Sequence, residues 1–162
     1  TTIYEGTNGV QAMDLLSRKV ARNGGATVYQ FIKNVYDTID NLDPKETSQL
    51  SLSTHLRSSL VALEAAVTWM VETFPSHPGQ AAAGATLFLE MMGLISGGGV
   101  LARGGIEADR QLKNNEGDKS FLNSKLKTAQ YFAEAHLSRT ASLLHPITGG
   151  GDCVMEFDAS NF

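Results

Sequence analysis

Two runs of apolar residues, each stepping alternately by four and three, constrain this chain more than any other feature. Val28, Ile32, Val35, Ile39 and Leu42 form one; Leu56, Leu60, Leu63, Val67, Met70 and Phe74 form the other. That spacing gathers apolar side chains on one side of an α-helix and makes the seam of a helix packed against helices. Phe31 and Tyr36 widen the first seam. No stretch keeps the two-residue period of a strand over a useful length. The fold class is therefore all-α. A chain of 162 residues suffices for one compact domain and buries roughly 68–70% of its unfolded surface without staples.

Glycine and proline divide the chain into five predicted helices. A short polar loop over residues 1–9 leads into the first, over residues 9–22, with Asn8 and Gln11 as a capping pair. Val10, Met13, Leu16 and Val20 share its apolar side; Asp14 and Arg18 stand four apart on its polar side. Asn23-Gly24-Gly25 stops it, because glycine accepts the left-handed conformation after a helix. The second helix spans residues 26–41. Asp43-Pro44-Lys45-Glu46 opens the third: Asp43 caps, Pro44 suits the first helical position and Glu46 reaches back. The apolar signal fades over residues 47–53, which admits a break there, and Pro75-Ser76-His77-Pro78 ends the helix.

The fourth helix, over residues 79–103, is apolar nearly all round, and Glu90 is its one charge before Arg103. Gly93 and Gly97, four apart, permit close helix contact. A loop over residues 104–117, which admits a last helical turn at its start and ends polar, precedes the fifth helix, over residues 119–144, whose inner face carries Leu122, Leu126, Ala129, Ala133 and Leu137. His145-Pro146 closes it, and Gly149-Gly150-Gly151 begins a tail. Long helices with short connections make antiparallel neighbours, so the expected architecture is an up-and-down antiparallel bundle of four to five helices.

Composition removes several function classes. The net charge is −4, from 13 basic and 17 acidic residues, with no basic block, which argues against a nucleic-acid partner. Cys153 is the only cysteine, so no internal disulfide or cysteine zinc site forms. His55, His77, His136 and His145 are scattered over different segments, and no metal is expected. The sequence lacks HExxH, GxSxG, phosphate-loop and EF-hand strings. Glu90 would be costly in lipid, so the apolar helix reads as the buried centre of a bundle, and no membrane partner is expected. Gly97-Gly98-Gly99 follows no strand, so it reads as close packing or a kink. No signal-peptide pattern opens the chain, which makes the cytoplasm the default location. The start at Thr1 points to a fragment or a processed product.

The informative stretch is the first. Glu5 stands just ahead of a predicted helix N-terminus, where an acid also simply favours the helix dipole. The run Ile3-Tyr4-Glu5-Gly6-Thr7, then Asn8-Gly9-Val10-Gln11, Asp14-Leu15 and Arg18-Lys19, resembles the active-site segment of the acyl-CoA dehydrogenase family. Residues 88–103 and 128–144, with the tail to Phe162, resemble members carrying an extra helical extension, including enzymes for short, medium or sulfur-bearing acyl-CoAs.

The resemblance implies that Glu5 is the catalytic base that takes the α-proton of an acyl-CoA thioester, its N–H also serving the thioester carbonyl. A hydrogen-bonded carbonyl acidifies that proton, and desolvation raises the carboxylate pKa toward it. It implies FAD as the hydride acceptor, with Thr7 a cofactor-binding residue. Where the family often has a glutamine contacting FAD, this chain has Gly9; Gln11 matches another motif position. Residues 1–23 are then the end of a catalytic domain, 25–148 a C-terminal helical extension and 149–162 a tail. The parts that hold most of the flavin are missing, so the fragment alone is expected to be inactive. Family analogy implies an acyl-CoA substrate, an electron-transfer flavoprotein as partner and a homo-oligomer. The competing reading is a stand-alone helical interaction or oligomerisation module with a relic motif, which a start codon just before Thr1 would favour. A DNA-associated branch of the same superfamily is opposed by the charge.

Overall fold

The computed structural model describes residues 2–158 and 160, with side chains described from Thr7 onward. Among the described residues the chain is helical and contains no strand. Its helices are α1 (Thr2–Asp14), α2 (Ala26–Ile39), α3 (Thr47–Thr73), α4 (Pro78–Ala83), α5 (Ala85–Lys113), α6 (Lys119–Ala135), α7 (Thr140–Gly149) and α8 (Gly151–Met155). The expected all-α helical bundle is borne out, and both seams do what their spacing demands. Val28, Ile32, Val35, Ile39 and Leu42 are buried, as are Leu56, Leu60, Leu63, Val67 and Met70. Removing a side chain of that size from water stabilises the fold by about 1.5–3 kcal/mol.

The chain forms two compact units: Thr1–Phe31, Ala62–Met92 and Ser142–Phe162 in one, Ile32–Val61 and Gly93–Ala141 in the other. The first centres on Leu16, Val20, Leu63, Val67, Met70, Phe88 and Ile147. The second centres on Ile39, Leu52, Leu56, Leu60, Ile95 and Leu137.

Several boundaries differ from the sequence pattern. Residues 2–9 are helical and continue into α1, because Asn8 and Gly9 weaken a helix interior by only about 1 kcal/mol or less each and do not stop it. The third helix begins at Thr47, with no break over 47–53. The Asp43 carboxylate instead accepts from the Lys45 amide at 3.0 Å and turns the chain. The residue that reaches back is Gln49, whose Oε1 accepts from the Asp43 amide at 2.8 Å. Ser48 and Gln49 are buried polar residues, which is why the apolar signal fades where the helix does not.

The fourth predicted helix is two. It breaks at Gly84, where an added Cβ would lie 2.5 Å from the Ile147 carbonyl oxygen. After Gly84, α5 runs ten residues beyond Arg103 to Lys113, absorbing most of the predicted loop. Nor is α5 enclosed on all sides: only 39% of its most apolar stretch is buried, although it is long and apolar enough to cross a membrane. Gly93 has open space where a Cβ would go, so it contributes no close contact. Close approach falls instead at Gly97, against Phe132, and at Gly98, against Leu137 and Leu56.

The fifth predicted helix breaks at His136 (φ −115°) and not at Pro146. One turn of 3₁₀-helix, Leu137–Arg139, leads into α7. The bend is held by a buried hydroxyl pair, with Ser59 Oγ 2.5 Å from Thr140 Oγ1. Thr140 Oγ1 also donates to the Leu137 carbonyl at 2.7 Å. Pro146 lies inside α7. Its missing N–H costs one helical bond, and the burial of Ile147 just after it holds the helix in place. The tail forms the short helix α8 against α4.

Candidate active-site segment

The segment that carries Glu5 and Thr7 is one helical arm fastened at its far end. Ala12, Leu16 and Val20 are its buried contacts. They are four apart, where an α-helix would favour alternating threes and fours. The reason is a π-helical stretch, Leu15–Val20, in which the Ala21 amide donates to the Leu16 carbonyl five residues back. The wider turn shifts the inward face, so Val10 and Met13, expected inside, are 67% and 40% exposed. Ser17 Oγ donates to the Met13 carbonyl at 2.7 Å where the ladder changes register. On the outer side Arg18 pairs with Asp14 at the predicted spacing of four. The hydrogen bond to Asp14, then its charge, holds the Arg18 guanidinium above its ordinary pKa.

Asn23-Gly24-Gly25 ends the arm as the sequence predicts. A 3₁₀ turn, Ala21–Asn23, runs into Gly24 at φ 61°, ψ 30°. The Gly25 amide then donates to the Val20 carbonyl at 2.9 Å, satisfying a helix-end acceptor. Gly25 has φ +79°, and a Cβ there would lie 2.9 Å from Val67 Cγ1 and 3.0 Å from Tyr29 Cε2. The arm therefore turns against α3 by direct backbone approach. Tyr29 and Thr68 hydroxyls, 3.0 Å apart, tie the start of α2 to α3 beside that turn.

The structure places Glu5 in the first turns of α1; its side chain lies outside the described residues. Thr7, two positions on, is exposed on the same helix, as are Asn8, Gly9 and Gln11. Asn8 lines a surface depression of about 300 Å³ with Thr86, Leu89 and Glu90 of α5. Thr7, Asn8 and Gln11 are thus exposed polar residues along one arm.

No other cluster among the described residues competes as a chemical site. No group of three or more potential metal ligands comes together. The four histidines lie on different elements: in α3, at the start of α4, at the α6 break and in α7. His136 packs its ring against Phe132 and Tyr131, with centroids 5.1 and 5.9 Å away.

The sequence reading missed a charged array at the end of α5. Arg110 pairs with Glu107 and Glu116, and Lys113 with Asp109 and Asp43. Hydrogen bonds from Arg110 and Gln111 pull the Glu107 carboxyl down to about 2. Asp43 is lowered by the Lys45 amide and then by Lys113. Lys113 is raised by Asp109 and Asp43. The i,i+3 and i,i+4 spacings of Glu107–Arg110 and Asp109–Lys113 were the available signal, hidden because residues 104–117 read as a loop.

With this architecture in place, comparison with known proteins defines the class. The family described as acetyl-CoA dehydrogenase C-terminal like matches residues 31–158, and the chain belongs to it. The chain is also similar to 3-methylmercaptopropionyl-CoA dehydrogenase of Ruegeria pomeroyi, at 32% identity over 153 residues. That match covers 94% of this chain and 26% of the relative. This chain therefore spans about a quarter of the length of the curated relative it matches and corresponds to a C-terminal piece of it.

Proposed function

We propose that this chain is the C-terminal part of an FAD-dependent acyl-CoA dehydrogenase that converts an acyl-CoA to its 2,3-enoyl-CoA. The observation that carries the reading is a match to a dehydrogenase over 94% of this chain, corresponding to a quarter of that enzyme. The active-site-like run from Ile3 to Thr7 supports it independently. In this reading residues 1–23 complete the catalytic domain, 25–148 form the helical extension and 149–162 a tail.

Glu5 acts as the base. Its carboxylate takes the proton from the carbon α to the thioester, and its backbone N–H hydrogen-bonds the thioester carbonyl as negative charge builds there. The flavin of bound FAD supplies the acceptor for the β-hydride. The exposed Thr7 hydroxyl and the Asn8 and Gln11 amides are groups that fit the polar edge of a flavin. They supply one side of such a site. The neighbouring depression, about 300 Å³ and lined by four residues, is too small to enclose FAD, so the other side comes from outside this chain. The chain alone is accordingly inactive, and the whole enzyme works as a homo-oligomer that passes electrons to an electron-transfer flavoprotein.

The test is Glu5→Gln in the full-length enzyme. A general base contributes about 10²–10⁴-fold, so kcat falls by about that factor while the flavin absorbance stays. Retained turnover in Glu5→Gln would refute the assignment of the base. Dehydrogenation by the chain alone with added FAD would refute the division into parts.

A further inference from the structure

We propose that Met155 is an oxidation site whose sulfoxide releases the tail helix α8 from α4. The tail is held by three contacts in one small area. Gly151 lies so close to α4 that a Cβ on it would be 2.8 Å from both Cα and O of Gln80. Gln80 Nε2 donates to the Asp152 carboxylate at 2.6 Å. At the far end of α8 the Met155 thioether sits in the notch left by Gly79, where an added Cβ would be 2.6 Å from Sδ and 2.7 Å from Cε.

The same thioether is open to solutes. Met155 is 57% exposed and lines a cavity of about 320 Å³ with Ser76, His77, Pro78, Gly79 and Gln80. Met70 and Met91 are fully buried and Met13 is 40% exposed, so a dissolved oxidant meets Met155 and Met13 long before the buried pair, and only Met155 lies in the tail. A hydroperoxide transfers one oxygen to the sulfur: the S–O bond forms, the O–O bond breaks, the thioether loses two electrons and the peroxide leaves as water or an alcohol. The product is a polar, branched sulfoxide in place of a slender apolar group. The side of the thioether that faces Gly79 has no room for that branch, so the oxygen turns toward the open cavity and water, which pulls the sulfur out of its contact with Gly79. The side chain leaves the notch and the last turn of α8 leaves with it. A methionine sulfoxide reductase restores the thioether and the contact.

The experiment is amide hydrogen exchange of this chain, with peptide mapping of the oxidised residue, in a Cys153→Ser background so that the neighbouring thiol does not respond. Peroxide should convert Met155 ahead of Met70 and Met91 and raise exchange over residues 151–155 by about tenfold or more. Met155→Leu should stay docked, with exchange over residues 151–155 unchanged by peroxide although Met13 still oxidises. Gly79→Ala should show the same rise without oxidant, because the new methyl displaces the thioether even though alanine is the better helix former. Oxidised Met155 with unchanged exchange would overturn the proposal. So would an equal response to peroxide in Met155→Leu.

Discussion

Replacing Gly25 by alanine tests how the N-terminal helical arm is fastened. Two costs add at this position. A residue with a Cβ pays about 1–2 kcal/mol to hold the left-handed conformation that Gly25 adopts at φ +79°. The new methyl also enters space within 2.9 Å of Val67 Cγ1 and 3.0 Å of Tyr29 Cε2, and overpacking of this kind costs about 1–3 kcal/mol. The stiffer unfolded chain returns about 0.4–1 kcal/mol. The net loss is about 1.5–4 kcal/mol. Gly24 is the control. Its φ is +61°, but nothing lies within 4 Å of an added Cβ, so Gly24→Ala carries only the conformational cost, about 1 kcal/mol after the same correction. Urea unfolding followed by Trp69, the only tryptophan and part of the same unit, separates the two. With a slope of about 2 kcal/mol per molar, the midpoint should drop by about 1–2 M for Gly25→Ala and about 0.5 M for Gly24→Ala. Equal drops would mean that the backbone does not approach α3 at Gly25.

Three further outcomes follow from the packing and the charges. Gly93→Ala should stabilise by about 0.5–1 kcal/mol, whereas Gly98→Ala, after the same gain is subtracted from an overpacking cost of about 1–3 kcal/mol, should destabilise by up to about 2.5 kcal/mol, because only the second methyl meets Leu137 and Leu56; thermal melts of the pair should move in opposite directions. Ser59→Ala should cost about 1–2 kcal/mol by removing one half of the buried hydroxyl pair, and a neutral result in urea unfolding would show that the bond from Thr140 to the Leu137 carbonyl suffices to hold the bend. The Glu107 carboxyl is depressed from 4.5 to about 2 when folded, so its stabilising contribution is complete above pH 4.5 and disappears as the pH falls through 2. Unfolding midpoints of wild type and Glu107→Gln should therefore differ at pH 6 and converge near pH 2. A constant difference across that range would refute the pairing with Arg110.

The helices were legible where a single helix carries its own reason for forming. The seam from Val28 to Leu42 needs only its spacing, and Asn23-Gly24-Gly25 needs only the conformational freedom of glycine. The breaks at Gly84 and His136 have no such local cause. Gly84 is open to Ile147, more than sixty positions later, and the bend after His136 depends on Ser59 meeting Thr140. Pro146 misled for the same reason, since a local breaker is overridden by the burial of the residue beside it. In the site, the motif from Ile3 to Gln11 was readable as a resemblance. That Val10 and Met13 face outward was not, because the face is set by a π-helical turn that no apolar pattern announces.

That turn also works as a screw thread. A residue added to or taken from the α-helical turn just before it, over residues 12–14, would rotate everything N-terminal to it by about 100° and move it about 1.5 Å along the axis. Leu16 and Val20 are the bolts, and the arm bearing Glu5 and Thr7 is the handle. A single insertion or deletion there re-aims the whole arm while Leu16, Val20 and Gly25 stay seated, so the bearing of the segment is adjustable in discrete steps independently of the core that holds it.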